Sequence, residues 1–565
     1  MTTANKLLLV PPLLGERGLG GEVPRRRFLQ QAALGAVGLL LGSSGLPACA
    51  PAASRAHIKG SMRGADFSLG HLLRQPGQLP APTRTEQVGV LIIGGGVAGL
   101  SAKRWLYRHG RTDVLLLELE QGLGGNAAGG QNPVSAYPWG AHYLPVPDAR
   151  NTELLAFLRE AGVITGTDET SGLPVYNEYH LCHDPEERLL IHGHWQQGLV
   201  PELGVPAADK AQIQRFFRLV EAMKQAQGAD GRDAFCIPLD RSSTDEQFRR
   251  LDQLSFADYL AAEGYTSLYL RWYLDYCCQD DYGAPAARVS AWAGLHYFAA
   301  RKGRAHNAEA ADVLTWPEGN AFLVQQLQRG VDRGGIRAAT LVYELRETAA
   351  GVEALAYDAV TRQTTRILAR QVLLATPHFV ARRLLAGWAD APALQPYHAP
   401  WLIANLTVDG LPQGPGQPLC WDNVRYGSRA VGYIDANHQD LGRDVGQPRV
   451  ITFYWPLTEA EPDAARRQAY QTSYDQWLQR LLAELETTHP GVTRHVQQAE
   501  LWVWGHGMVA PTPGYLWGPD EARQRAAQPL RNRVFFAHTD LSGVSIFEEA
   551  FYQGIRAATE ILAAV

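Results

Sequence analysis

The 565-residue chain is 46% hydrophobic and 19% charged, with a formal net charge of -5. Such a length calls for two or three domains, the composition is that of a globular protein, and the charge offers nothing to nucleic-acid phosphates. The 14 Trp, 22 Tyr and 16 Phe supply area for a core or walls for a flat ligand.

The first element in chain order is a targeting segment. Pro24-Arg25-Arg26-Arg27-Phe28-Leu29-Gln30 precedes an apolar Ala/Gly/Leu-rich run over 32–41, then Leu46-Pro47-Ala48-Cys49. The paired arginines resemble the twin-arginine export signal, a route used by proteins already folded, and would make its translocase a partner during export. The apolar run is shorter than the roughly 20 residues of a spanning helix. Leu-Pro-Ala-Cys resembles a lipobox, which would lipidate Cys49 and hold the chain to a membrane of the periplasm or cell envelope. A cleaved signal without lipid is the competing reading. Removing residues 1–48 takes away five basic and two acidic residues and brings the charge to -8, so acyl chains rather than charge would hold it there.

Residues 49–85 show no period and read as a linker. Val88-Gly89-Val90-Leu91-Ile92-Ile93 is an apolar run suited to a buried parallel strand. Gly94-Gly95-Gly96-Val97-Ala98-Gly99 follows, then a helix over 97–109 and a second buried strand, Val114-Leu115-Leu116-Leu117, ending at Glu118. This is a dinucleotide fingerprint in its required context. Gly94 gives the tight turn, Gly96 admits a pyrophosphate, Gly99 lets helix and strand close up, and Val97 and Ala98 open the helix whose N-terminus faces the phosphates. Glu118 would accept ribose hydroxyls and repel a 2′-phosphate.

Residues 151–310 read as mostly helical and rich in Trp and Tyr. Tyr282, Trp292, His296 and Tyr297 are cavity candidates, although aromatics at such spacing are more often core. Cys182, Cys236, Cys277, Cys278 and Cys420 are too few and too odd in number for a disulfide scaffold. The Cys277-Cys278 pair reads as helix packing, with a vicinal disulfide as the alternative. His183, His192 and His194 give only a weak metal signal, and no metal is expected.

Beyond Glu118 the residues Gly124-Gly125-Asn126 resemble the Gly-Gly doublet of the flavin amine oxidase and phytoene desaturase superfamily. Gly140-Ala141-His142 is similar to the stretch that in this family passes the isoalloxazine. Val342 falls where the family sets a backbone against adenine. Val372-Leu373-Leu374-Ala375-Thr376-Pro377 resembles the following strand. Phe535-Phe536-Ala537-His538-Thr539-Asp540 resembles a strand ending in Phe-Ala-Gly-Asp, which would put Asp540 on the ribityl chain. Phe547 and Ala550 belong to a stretch like the family's last helix, whose N-terminus would face the flavin N1 and C2 carbonyl. The resemblance covers about a third of the chain.

It implies FAD as cofactor and an α/β protein: a Rossmann-type FAD-binding domain assembled from discontinuous segments plus an α+β substrate domain. The expected division is a signal over 1–48, the linker over 49–85, FAD-binding segments over 86–150, 311–385 and 526–565, and substrate-domain parts over 151–310 and 386–525. The expected function is two-electron oxidation of a small organic substrate at C–N or C–C outside the cytoplasm. A desaturase or isomerase of a lipid-like substrate and a non-catalytic flavin carrier are the alternatives. On the substrate side, Asn405 falls where amine oxidases often place a Lys. Gly507 and Ile546 fall where aromatic rings would frame an amine. His506 falls where some relatives attach flavin covalently, and is otherwise a candidate for proton transfer.

Overall fold

The computed structural model describes residues 55–564, apart from 389, 445 and 519. The signal-like stretch and Cys49 lie outside the described residues. Two sheets organise the chain. The first is centred on the strand Pro82–Ile93, which carries the apolar run 88–93. It pairs in parallel with Val114–Leu117 on one side and with Gln363–Leu374 on the other. Ile336–Arg337 extends the parallel part beyond Val114–Leu117, and Val534–Phe536 extends it beyond Val372 to Leu374. The antiparallel strands Thr340–Thr348 and Gly351–Asp358 return through the N-terminal half of Gln363–Leu374.

Strands separated by hundreds of residues thus form one sheet, as expected for a nucleotide domain assembled from discontinuous segments. The helices Val97–Arg108 and Phe547–Ala563 cover one face. They approach so closely that a Cβ on Gly554 would stand 2.2 Å from the Ala98 carbonyl oxygen, which explains a glycine inside a helix despite its cost there.

The second sheet has eight strands, in the order 59–64, 496–510, 397–408, 449–456, 432–435, 422–425, 187–191, 194–197. Its alternation is two-sided. Leu402, Ala404 and Leu406 pack with Trp477 and Leu481 of the helix Tyr474–Thr488. Trp401 and Ile403 face the other way, toward Tyr454 and Trp421. Helices including Ala207–Gln225, Leu268–Tyr282 and Ala291–Ala299 form a separate aromatic-rich core. Among the described residues no helix is long and apolar enough to cross a membrane.

The linker reading of 49–85 is corrected in two places. Lys59–Gly64 is an edge strand, parallel to residues 498–503, and residues 82–87 already belong to the strand of the first sheet. Both carry mostly exposed or half-exposed side chains, so backbone pairing forms them without an apolar period to announce it. The five cysteines within the described residues are buried and unpaired.

Candidate active site between the glycine loop and the second sheet

The glycine loop is built by close contacts that leave one side open. A Cβ on Gly94 would lie 2.3 Å from the Ala375 oxygen, and one on Gly99 would lie 1.9 Å from the Gly94 oxygen. At Gly96 a Cβ would meet nothing within 4 Å, and its backbone, at φ -71 and ψ -178, suits any residue. The glycine there leaves space rather than accommodating protein. Next to Gly94, the Thr376 hydroxyl is buried without a partner. Glu118 spans the loop: its Oε2 accepts the Gly95 N–H at 2.5 Å and its Oε1 the Glu120 N–H at 2.8 Å. Burial pushes its carboxyl up, against these backbone bonds. Gly124 and Gly125, at φ +117 and +56, turn the next segment back so that the Gly124 N–H reaches the Gly95 oxygen at 2.9 Å.

Downstream, the chain passes the mouth of a cavity. Asn126, Gly140, Ala141 and His142 line one side, together with Ser545, Ile546, Phe547 and Glu548 at the start of the C-terminal helix. Trp401, Ile403, Tyr454 and Trp504 of the second sheet face them, and Asp280, Asp281, Tyr297 and Arg301 close the far end. The sheet is fastened to residues 138–140 by three consecutive carbonyls. Asn405 Nδ2 donates to Pro138 O at 3.0 Å, Trp504 Nε1 to Trp139 O at 2.6 Å, and the Tyr454 hydroxyl to Gly140 O at 2.9 Å. Asn126 Nδ2 also donates to the Gly507 oxygen.

The far end is acidic. Burial pushes Asp280 up to about 7, with Asp281 adding to it, and pushes Glu548 to about 7. Arg301 Nη2 donates to Asp281 Oδ1 at 3.2 Å and to the Tyr143 oxygen at 3.1 Å, and its guanidinium lies 4.1 Å from the Tyr297 ring centroid. Burial lowers His142 to about 4. The ring is therefore neutral near pH 7, and it packs on Tyr454 with centroids 4.5 Å apart.

Four sequence expectations change. Asn405 is buried and does not line the cavity; besides Pro138 O, its Oδ1 accepts from Thr452 Oγ1 at 2.6 Å. It positions the loop. His506 is exposed and stacks near Phe379, with centroids 4.3 Å apart. Between the pairs Ala399↔Met508 and Trp401↔Trp504 the register shifts, and this bulge turns His506 outward while Gly507 and Met508 face the cavity. Asp540 is fully buried and saturated. Its Oδ1 meets His398 Nε2 at 2.8 Å and His538 Nδ1 at 3.2 Å, and its Oδ2 accepts the His378 N–H at 2.7 Å. Burial would raise it, but the two histidines hold it well below the usual carboxylate range. At this turn Ser545 is the residue that reaches the cavity. Of the aromatic candidates, His296 and Tyr297 line the cavity, whereas Tyr282 and Trp292 belong to the helical core.

Val342 is buried beside Leu91 and Leu117, next to a register shift in its strand, and Ala550 is half-buried against the core behind Phe547. Gly507 and Ile546 do line the cavity; the aromatic walls come instead from Trp401, Tyr454 and Trp504. Sequence reading missed Asp280, Asp281, Arg301 and Glu548. The available signal was an acidic pair inside a helix, Leu268–Tyr282, whose neighbours Cys277, Cys278 and Tyr282 are buried.

A family model described as an NAD(P)-binding Rossmann-like domain matches residues 92–161. No curated protein matches the chain. Among solved structures, wild-type putrescine oxidase bound to putrescine matches with a TM-score of 0.59 and 16% identity, over 85% of this chain and 100% of that one. Cyclohexylamine oxidase from Brevibacterium oxydans IH-35A matches at 0.57 and 15%, over 84% and 99%. A fatty acid isomerase from P. acnes that produces CLA matches at 0.54 and 16%, over 84% and 98%. At these identities the likeness is one of fold, and the chain shares with these two oxidases and the isomerase a Rossmann-like α/β domain built from separated segments and joined to an α+β domain.

Proposed function

We propose that the protein is an FAD-dependent oxidoreductase that removes two electrons from a cationic organic amine. The residues fit the cofactor. The open face of Gly96 and the unpartnered Thr376 hydroxyl suit a pyrophosphate, and Glu118 suits the ribose. Gly140, Ala141 and the N-terminus of the helix Phe547–Ala563 flank the cavity where a ring system would lie. Asn320 Oδ1 and Trp401 Nε1, both buried without partners, line the same cavity. When bound, FAD supplies a two-electron acceptor.

The observation that carries the reading is the acidic end of this cavity. Asp280 is half-buried and accepts no hydrogen bond from any described residue, and a carboxylate drawn partly out of water without a partner is costly unless a cation meets it. Here an ammonium would be that cation, boxed by Tyr454, Trp401 and Trp504. Oxidation takes one proton from the ammonium and a hydride from the adjoining carbon, and leaves an iminium that water splits to a carbonyl compound. Asp280, near 7, is suited to take the proton. Neutral His142 and the aromatic walls keep water from the reacting carbon. Two proteins of the same fold, putrescine oxidase and cyclohexylamine oxidase, are named for amines, which supports this reading over the oxidation of a lipid-like substrate. The motifs at Arg25-Arg26 and Cys49 support work outside the cytoplasm after twin-arginine export, with a lipid anchor.

The test is anaerobic mixing of the purified yellow protein with a panel of amines. Bleaching of the flavin absorbance by an amine is expected, with kcat/KM rising through about pH 7 and that limb lost in Asp280→Asn. A protein that folds without flavin, or a flavin that no amine reduces, overturns the reading.

A further inference from the structure

Away from the cavity, the helices Val97–Arg108, Thr152–Glu160 and Phe547–Ala563 enclose a cleft. Ser101, Arg104, Trp105, Arg108 and His109 line it from the first helix and its cap, at the three- and four-residue spacing of one helical face. Phe551 and Ile555, one turn apart and buried, add an apolar wall.

Among these groups the positive charge exceeds what the acids offset. The Arg104 and Arg108 guanidiniums each donate through a single nitrogen to one shared carboxylate, Glu160. No described residue accepts from the remaining guanidinium N–H groups of either side chain. Glu153, on the second helix, is taken up from elsewhere: Arg241 Nη2 and the Tyr552 hydroxyl both donate to its Oε2 at 3.3 Å. Burial and the Arg108 charge lower Arg104 to about 10, the direction of a cation short of counter-charge. Ser101 is 2% exposed and its hydroxyl has no partner, although a helical serine can give its proton to the carbonyl one turn back. His109 Nδ1 is bonded to the Trp105 oxygen at 2.8 Å, which leaves Nε2 without a described partner.

Guanidinium forks with unused N–H groups select a carboxylate or a phosphate. An excess of one charge fits a monoanion, whereas a phosphate dianion would bring a second charge toward Glu153 with nothing to offset it. Trp105, Phe551 and Ile555 offer apolar surface that an inorganic anion leaves uncovered. We propose that the cleft is a second ligand site, for a small amphipathic carboxylate whose head meets Arg104 and Arg108 and whose aryl or alkyl body lies against Trp105 and Phe551. It shares no lining residue with the cavity, so it stands apart from the amine reading. Its occupant braces the helix that opens at the glycine loop against the helix that starts at the cavity, and binding should raise the melting temperature of the holoprotein.

The test is calorimetric titration of the holoprotein with phenylpropionate, with its neutral amide and with inorganic phosphate, repeated on Arg108→Gln. Arg108 is exposed, so this variant keeps the fold. One phenylpropionate per chain is expected to bind, at least about tenfold more tightly than the amide or phosphate. Arg108→Gln should lose at least about tenfold of the carboxylate affinity, little of the amide's, and the rise in melting temperature. The visible flavin spectrum should not change on binding. A carboxylate that shifts that spectrum and binds Arg108→Gln as tightly as the wild type occupies the cavity instead, which overturns the site. Equal affinity for the amide would show an apolar hollow without anion recognition and overturns it too, as does phosphate binding as tightly as phenylpropionate, or no binding of phenylpropionate at millimolar concentration.

Discussion

Asn405 holds the segment 138–140 with one hydrogen bond, its amide fixed by a second from Thr452 on the neighbouring strand, and it does not line the cavity. Removing its amide leaves Pro138 O, a buried carbonyl, without its donor, which costs about 1–3 kcal/mol. Asn405→Leu is therefore expected to lower the melting temperature and to slow flavin reduction modestly. The pH profile should stay where it is, because no titrating group has moved; a shifted limb would return Asn405 to a part in proton transfer. His506 gives the contrasting case. It stands on the outer side of a bulge against Phe379, so His506→Ala should leave kcat/KM within about twofold, as surface changes away from a site do. Acid precipitation should leave the flavin in the supernatant. A yellow pellet that turns colourless in this variant would show that the ring reaches the flavin after all.

At the scale of elements, the glycine loop separates protein packing from ligand space. Gly96→Ala adds a methyl group where no protein atom lies within 4 Å and where the backbone suits alanine. It should leave the melting of the cofactor-free protein nearly unchanged and reduce the flavin content on purification. Gly99→Ala puts a methyl group 1.9 Å from the Gly94 oxygen and should destabilise the fold itself, by about 1–3 kcal/mol for an overpacked site. If both variants lose stability equally, the space before Gly96 is not a ligand's. This loop was legible because its glycines, strand, helix and Glu118 follow one another along the chain, even though Gly94 also packs on distant Ala375. The strand Lys59–Gly64 was not, since its side chains alternate with no apolar face and only the strand Val496–Ala510 gives it a partner. The bulge at His506 was equally hidden: extra residues on one strand are visible only against the strand they fail to match. The surroundings of Asp540 were hidden for another reason. Its partners His398 and His378 lie 142 and 162 residues upstream, and no local pattern says that they will take up the carboxylate.

Across the whole molecule, the same buried acids that mark the cavity set how stability follows pH. Sequence could count the carboxylates but not foresee that Glu186, Asp280 and Glu548, from distant segments, would each be drawn out of bulk water. Burial pushes these three up to about 7 and Glu549 up to about 8. A raised carboxyl keeps its proton in the folded state while the unfolded chain releases it above about 4, so stability falls as pH rises toward the folded value. Histidines oppose this. His142, His296, His438 and His489 are lowered to about 4 by burial; the unfolded chain protonates these rings below about 6.5, and their contribution rises with pH up to that point. The two sets offset each other between about pH 4 and 6.5 and only the carboxyls act above it. The melting temperature of the holoprotein is therefore expected to fall between about pH 6.5 and 8 at constant ionic strength. Glu549 isolates one share of the slope. It is 1% exposed, lies outside the cavity, and accepts the Leu239 N–H at 2.6 Å through Oε1, a bond that Glu549→Gln can keep. That variant should flatten the fall by up to about 1.4 kcal/mol per pH unit, whereas a saturating amine should flatten the share that comes from Asp280. A melting temperature that rises from pH 6.5 to 8 would mean that these acids are ionised and paired in the folded protein, and the cavity would then have no need of a cation.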